Sequence, residues 1–371
     1  MNILIIAGEL SADYYGGQLA QSIQEDAPSS TLHALGGPQL QQFTHHFILN
    51  TIANHSVGLA EQWHHRSFFK LLSAQLTQYL AATSIQCAII IDYPHYNFKI
   101  ASILTKFNIP IVTFITPNFW VWNHVSHAKK LIKYSRLIIT IYKKEHEFYQ
   151  SLGANTLYLG HPIAQSMPRI TPPQHRQTSS PPIITLMPGS RPSEIQRLLP
   201  KMCDIATYHH NRSIYSWNLL PPSPSLIPFR QSLLPENSPI RIWNKDKPLL
   251  MQKTVCVICG SGTTTLEMAL HYIPQIVLAA ASPLTYVLVK YILRFPIKYV
   301  SLPNIILNDA VVPEFIQHKI TPANITHQLH HILHNPTVFQ TMMQHYETIR
   351  NECYSPPVYF KKISRAILSV I

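Results

Sequence analysis

The 371-residue chain is 46% apolar but only 12% charged, and its 29 Lys and Arg outnumber 17 acidic residues for a formal charge of +12. Such a length predicts two domains rather than one, and the basic excess suits an anionic partner, a phosphorylated substrate or an acidic lipid surface. Three classes are disfavoured: basic residues run no longer than pairs such as Lys129-Lys130, unlike a nucleic-acid arm; no stretch reaches the ~18 uninterrupted apolar residues of a bilayer span; and the five cysteines make no disulfide framework.

From the N-terminus, a four-residue apolar run at 3–6 lacks a basic n-region and a cleavage site, so a cytoplasmic chain is expected. Further short apolar runs at 31–35, 87–91, 111–115, 137–141 and 156–159 alternate with helical patterns such as 18–25 and 67–82. This is the rhythm of βα repeats with a parallel sheet covered on both faces. The stretch "PRITPPQHRQTSSPP", 168–182, has linker composition, and the alternation resumes at 183–187, 254–258 and 275–279. Two Rossmann-like α/β domains are expected, 1–172 and 183–345, with a linker at 173–182 and C-terminal helices at 346–371. A cleft between them is the default site. The Pro-rich 220–238 reads as a loop.

Candidate chemistry falls where strands end, because ligands of open parallel sheets bind outside the carboxyl ends. Gly8-Glu9-Leu10-Ser11-Ala12-Asp13 is such a point: Gly8 permits a tight turn, and Ser11 or Asp13 can cap a helix. Asp92 ends "CAIIID" and is either a cap or a partly desolvated general base, with Asn97 nearby. In "PNFWVWNH", Trp120 and Trp122 face one side if extended, for stacking or for core packing. "LMPGSRPSEI" joins a strand to a helix through Gly189, Ser190 and Arg191, a guanidinium suited to phosphate. "CGSGTTTLEMAL" lacks the third glycine of a dinucleotide fingerprint, with Thr265 in its place. Ser261, Gly262, Thr263 and Thr264 still form a small-residue helix start able to hold a diphosphate, and Glu267 is within reach of a ribose. The alternative for this stretch is a capped helix. Cys256-Val-Ile-Cys259 has metal-ligand spacing but no second pair, so a buried strand is the better reading. In 300–317, Asn304, Glu314 and Gln317 stand open between core and site.

Taken together, these stretches resemble the lipid-A-disaccharide synthase family of glycosyltransferases. The family's Gly-Glu-x-Ser-Gly-Asp start is matched at 8–13, its Ile-Asp-x-Pro-Asp-Phe-Asn at 91–97, and its Trp-x-Trp at 120–122. Gly160-His161-Pro162, the Pro-Gly-Ser-Arg stretch, Ser-Gly-Thr with Leu-Glu, and Ser-Leu-Pro-Asn ahead of Glu314 and Gln317 follow in order. The chain departs at Ala12 (family Gly), His95 (Asp), Asn123 (Arg) and Lys144 (Phe), keeping Asp92, Arg191 and Glu267.

The resemblance implies a glycosyltransferase B fold and inverting, metal-independent transfer of 2,3-diacylglucosamine from UDP to 2,3-diacylglucosamine 1-phosphate (lipid X). No cofactor is implied. Asp92 would be the general base, and Arg191 with the 261–263 helix start would stabilise the departing UDP. Asn304, Glu314 and Gln317 would line the donor side, and Gly8, Glu9, Ser11, Asp13, Asn97, Trp120 and Trp122 the acceptor side. With acylated substrates, the basic amphipathic stretch 57–80 would meet an anionic inner-membrane surface through Trp63, Phe68, Phe69, Leu71 and Leu72. The alternative is a helix packed on the sheet. The C-terminal region would cross back to the first domain and take part in a homodimer. A UDP-sugar epimerase, another UDP-sugar transferase or a non-catalytic nucleotide- or lipid-binding protein are the rival readings.

Overall fold

The computed structural model describes residues 1–52, 61–93, 97–121, 123–167, 173, 181–210, 214–221, 227–280 and 298–371. Two compact units emerge, one of residues 1–166 with 352–371 and one of residues 167–351. Each is built on a single all-parallel sheet. The first unit orders its seven strands β3-β2-β1-β4-β5-β6-β7, and the second its six strands β10-β9-β8-β11-β12-β13.

In the first unit the strands are β1 (Asn2–Ala7), β2 (Thr31–Gly36), β3 (His46–Asn50), β4 (Cys87–Ile91), β5 (Ile111–Phe114), β6 (Ser135–Thr140) and β7 (Thr156–Tyr158). β1 and β4 are apolar at nearly every position because helices cover both sheet faces. The helix Glu61–Ala82 turns Leu72, Leu76 and Leu80 into the core, with Phe68 and Phe69 packed against the same cluster. That i, i+4 stripe answers the alternative raised for this segment. Leu72 is buried, Phe68 and Phe69 are partly buried against that cluster, and Leu71 alone of the described four is exposed, at 49%. The Trp63 side chain and residues 53–60 lie outside the described residues.

The last helix, Tyr359–Leu368, belongs to the first unit. It buries Tyr359, Phe360, Ile363 and Ile367 and packs on the helix Leu10–Asp26. There Ser364 Oγ donates to the Ser22 carbonyl at 3.3 Å, and Arg365 pairs with Asp26 at 3.5 Å. The chain re-enters beside Gly160, whose φ is +90°. A Cβ at that position would sit 1.8 Å from the Tyr354 carbonyl oxygen, and the His161 N–H donates to the Cys353 carbonyl at 3.1 Å. The Gly-His-Pro stretch is therefore where the returning backbone crosses.

The second unit contains β8 (Ile183–Met187), β9 (Ser216–Leu219), β10 (Ile240–Ile242), β11 (Thr254–Gly260), β12 (Gln275–Ala279) and β13 (Glu314–Ile316). β11 is buried at all seven positions, so Cys256 and Cys259 are strand residues, and burial pushes the Cys259 thiol up to about 12.

Two acids are buried among the described residues of the first unit, Asp13 and Glu145. Glu145, 1% exposed, accepts from Thr116 Oγ1 at 2.5 Å and from the N–H groups of Ile141 and Tyr142 at 2.8 and 3.2 Å. Desolvation outweighs these bonds and raises its carboxyl to about 7. A folded-state value above the unfolded one means the folded protein holds the proton more tightly. Glu145 therefore adds stability below pH 4.5 that is lost as pH rises through 7. Urea unfolding at pH 5 and pH 8 should show a drop between the two that Glu145→Gln reduces; an identical drop in the variant would rule out this source. Gly160→Ala forces a left-handed alanine and a backbone clash, so it should cost about 3 kcal/mol or more, read as a lower urea midpoint; an unchanged midpoint would contradict the crossing.

Candidate functional site

In an open parallel sheet a crevice forms where the strand order reverses, outside the carboxyl ends. In the first unit that point lies between β1 and β4, where Ala7 pairs with Ile91, so the loops beginning at Gly8 and Asp92 leave side by side. Gly8 is required by Tyr93: a Cβ would lie 1.9 Å from its ring. Asp92 is half-buried and adopts φ +34°, while its N–H reaches the Phe114 and Ile115 carbonyls at 3.2 and 3.3 Å. Ile115, at the end of the neighbouring β5, has φ +62°. A β-branched residue in the left-handed region is strained, and strain of this kind gathers at functional sites.

Two polar groups flank this turn without a partner among the described residues. Asn97 is 2% exposed, and neither its Nδ2 nor its Oδ1 is hydrogen-bonded; the same holds for the Trp120 indole nitrogen. Burying an amide unpaired costs about 1–3 kcal/mol per group, a cost a bound polar ligand would offset. Trp120 packs 5.5 Å from Tyr142, and Tyr142 lies 5.2 Å from His161. Burial lowers His161 to about 3, so its ring is neutral. Its Nδ1 accepts from the Ile163 N–H at 3.1 Å, which places the proton on Nε2, itself unpartnered among the described residues. Trp122 and His95 fall outside the described residues.

The other residues of the first loop divide by role. Glu9 is the N-cap of the helix Leu10–Asp26 and makes no side-chain cap bond, and Ser11 is half-buried beside it. Asp13 has turned inward. Its carboxylate accepts from the N–H groups of Gly37, Gln39 and Leu40 at 2.7, 3.0 and 3.1 Å, capping the turn Pro38–Gln41 instead of its own helix. Its polar atoms are spent on protein.

The second unit repeats the arrangement between β8 and β11, where Met187 pairs with Cys259. Gly189 has φ +115°, and a Cβ there would meet Glu194 at 2.4 Å. Ser190 and Arg191 are exposed; Arg191 lies 3.9 Å from Glu194, a loose surface pair of small worth. After β11, Ser261, Gly262 and Thr263 are exposed, and Gly262 caps the helix Thr263–Leu270 at φ +133° with no side-chain cap bond. The helix's first N–H groups therefore point outward, an anion site by charge and geometry. Thr265 holds this start in place: its hydroxyl donates to the Gly262 carbonyl at 2.7 Å and accepts from the Leu302 N–H at 3.1 Å. Glu267 pairs with Lys247 at 2.6 Å, a partner that nothing in the motif announced.

Asn304 and Glu314 serve the loop around them. Glu314 accepts from the N–H of Val300 at 3.0 Å, from the N–H and hydroxyl of Ser301 at 2.8 and 2.5 Å, and from Asn304 Nδ2 at 2.9 Å. Asn304 is closed further by both backbone groups of Val312. These two side chains shape the 300–316 loop, and Gln317 follows it with φ +55°. Among the described residues no three His, Cys, Asp or Glu side chains converge as metal ligands, and no helix is long and apolar enough to cross a membrane.

Residues 3–356 match the family described as Lipid-A-disaccharide synthetase. A relative from Synechocystis, Lipid-A-disaccharide synthase, is 29% identical, with 99% of this chain and 97% of the relative covered. Two solved structures share the two-unit fold. The UDP-GlcNAc 2-epimerase of Neisseria meningitidis bound to UDP-GlcNAc has a TM-score of 0.60 at 12% identity, covering 100% and 99% of the two chains. MurG of Acinetobacter baumannii has a TM-score of 0.55 at 12% identity, covering 99% of each. With its glycosyltransferase B architecture and a match that spans both sheets, the chain belongs to the Lipid-A-disaccharide synthetase family of enzymes.

Proposed function

We propose that the protein joins the sugar of UDP-2,3-diacylglucosamine to 2,3-diacylglucosamine 1-phosphate, releasing UDP and forming a β-1,6-linked disaccharide phosphate. The observation that carries this reading is the family match over residues 3–356, and the strained, half-buried Asp92 beside Asn97, unpaired among the described residues, supports it. The first unit takes the acceptor and the second the nucleotide sugar.

Asp92 removes the proton from the acceptor's 6-hydroxyl as that oxygen attacks C1 from the face opposite UDP, with inversion. The C1–O bond to the diphosphate breaks, and its electron pair leaves with UDP. Negative charge grows on the diphosphate, where Arg191 and the outward N–H groups of the 263–270 helix stabilise it. That electrostatic role is one a metal fills in other transferases, so the reaction proceeds without one. Lys247 orients Glu267 through one carboxylate oxygen, which leaves the other for a ribose hydroxyl. Acylated substrates reside in membranes, so the enzyme works at the cytoplasmic surface of the inner membrane, where its net charge of +12 favours anionic lipid. The exposed Leu71 is the described apolar group on the Glu61–Ala82 helix available for that contact.

Incubating the purified protein with both substrates in EDTA should yield disaccharide and UDP. Asp92→Asn should lower kcat by roughly 10²–10⁴-fold, and Arg191→Ala by roughly 10²–10³-fold, each with an unchanged melting curve. Full activity in Asp92→Asn would remove the general base, and absence of product from wild type would remove the reading itself. Glu267→Gln should raise KM for the UDP-sugar more than it lowers kcat; an effect on kcat alone would place Glu267 elsewhere.

A further inference from the structure

The second unit buries an arginine that no carboxylate among the described residues balances. Arg230, on the short helix Ile227–Gln231, is 0% exposed. Its Nη1 donates to the Leu220 carbonyl at 2.8 Å and its Nη2 to the Gly189 carbonyl at 2.7 Å, while Nε is buried without a partner among the described residues. Among the described residues no acid forms an ion pair with it. Burial lowers its pKa to about 10, so it remains charged at neutral pH.

Packing does not account for this residue. A buried ion costs several kcal/mol unless it is compensated, and two carbonyl oxygens can be bonded by a neutral amide as well as by a guanidinium. The location is more informative. Both carbonyls stand just beyond the carboxyl ends of adjacent strands, Leu220 after β9 and Gly189 after β8.

The Gly189 bond also has a geometric consequence. In a trans peptide the C=O of one residue and the N–H of the next point in opposite directions. Drawing the Gly189 carbonyl inward onto Arg230 therefore turns the Ser190 N–H outward. Ser190 is exposed, in the loop that carries Arg191.

We propose that Arg230 is a positioning residue for the diphosphate of the nucleotide sugar: it locks the Gly189–Ser190 peptide so that the Ser190 N–H faces the anion, and its buried charge is balanced when the diphosphate binds. The inference rests on reading the second unit as the UDP site. It adds to Arg191 and the 263–270 helix start a third, backbone donor and a charge that solvent does not screen.

Calorimetric titration of UDP and of uridine into the full chain separates this role from a purely structural one. Against wild type, Arg230→Met should weaken UDP about tenfold or more, since the bond lost is one to a charged group, and leave uridine unchanged. Arg230→Lys, which keeps the charge and one carbonyl bond, should recover part of the loss, and Arg230→Gln less. Should Arg230→Met fail to fold, the Lys and Gln variants carry the comparison. Equal UDP affinity in wild type and a folded variant, or equal loss for UDP and uridine, would overturn the proposal while leaving the UDP site in place. A wild-type protein that binds no UDP would instead overturn the proposed function and this inference with it.

Discussion

Everything at the site depends on one constraint of parallel sheets. Strand order can reverse only by sending successive crossovers to opposite faces, and at the reversal two neighbouring loops leave the sheet in different directions. Here that happens twice, beside β1 and β4 and again beside β8 and β11. Each reversal sets a glycine-bearing loop against a second loop with reactive or anion-binding character. Gly8 stands by Asp92 in the first unit, and Gly189 stands by the 261–263 turn in the second. Close packing at the loop bases also decides which residues are possible. Tyr93 occupies the space a Gly8 side chain would need, and the Pro188 carbonyl lies 3.3 Å from where a Gly260 Cβ would be.

Motif residues then separate by what their polar atoms already bind. Asp13, Asn304 and Glu314 each spend their hydrogen-bonding capacity on backbone and near neighbours, as buried polar groups must. They are supports. Asn97, Trp120 and His161 retain buried polar atoms with no partner among the described residues, and the helix start at 263 offers free N–H groups. A sequence motif mixes these two kinds without distinction, because selection for a shape and selection for a contact preserve residues equally well.

Much of the fold was legible because strands covered on both faces are written as unbroken apolar runs. The runs at 3–6, 87–91, 183–187 and 275–279 fall within strands of the structure. The short edge strands His46–Asn50, Ile240–Ile242 and Glu314–Ile316 carried too few apolar residues to stand out, since edge strands are only half covered, and the inner strand Ser216–Leu219 was hidden because Ser216 and Asn218 break its apolar run. The first helix begins at Leu10 rather than in the later apolar stretch, with Gly16 and Gly17 inside it. Those glycines look like breakers, yet a Cβ on Gly17 would come within 3.1 Å of the Gln39 carbonyl oxygen, so they are packing residues. Arg230 sat in a Pro-rich stretch that reads as loop, and only three-dimensional burial marks it. Lys247 was hidden for a related reason: its partner Glu267 lies 20 positions away.

The first unit is interrupted by the second, and synthesis on the ribosome makes that interruption a matter of time. Its sheet is complete by Ser166, but the helix that covers Tyr15 and packs on Leu10–Asp26 begins at Tyr359. At translation rates of roughly 5–20 residues per second, the intervening unit delays that closing helix by on the order of ten seconds or more. For that interval the nascent chain displays an apolar helix face with no intramolecular cover. The gene order of the two units thus creates a window for chaperone capture or mispairing with another nascent chain, which closes when the last helix emerges and the backbone settles against Gly160.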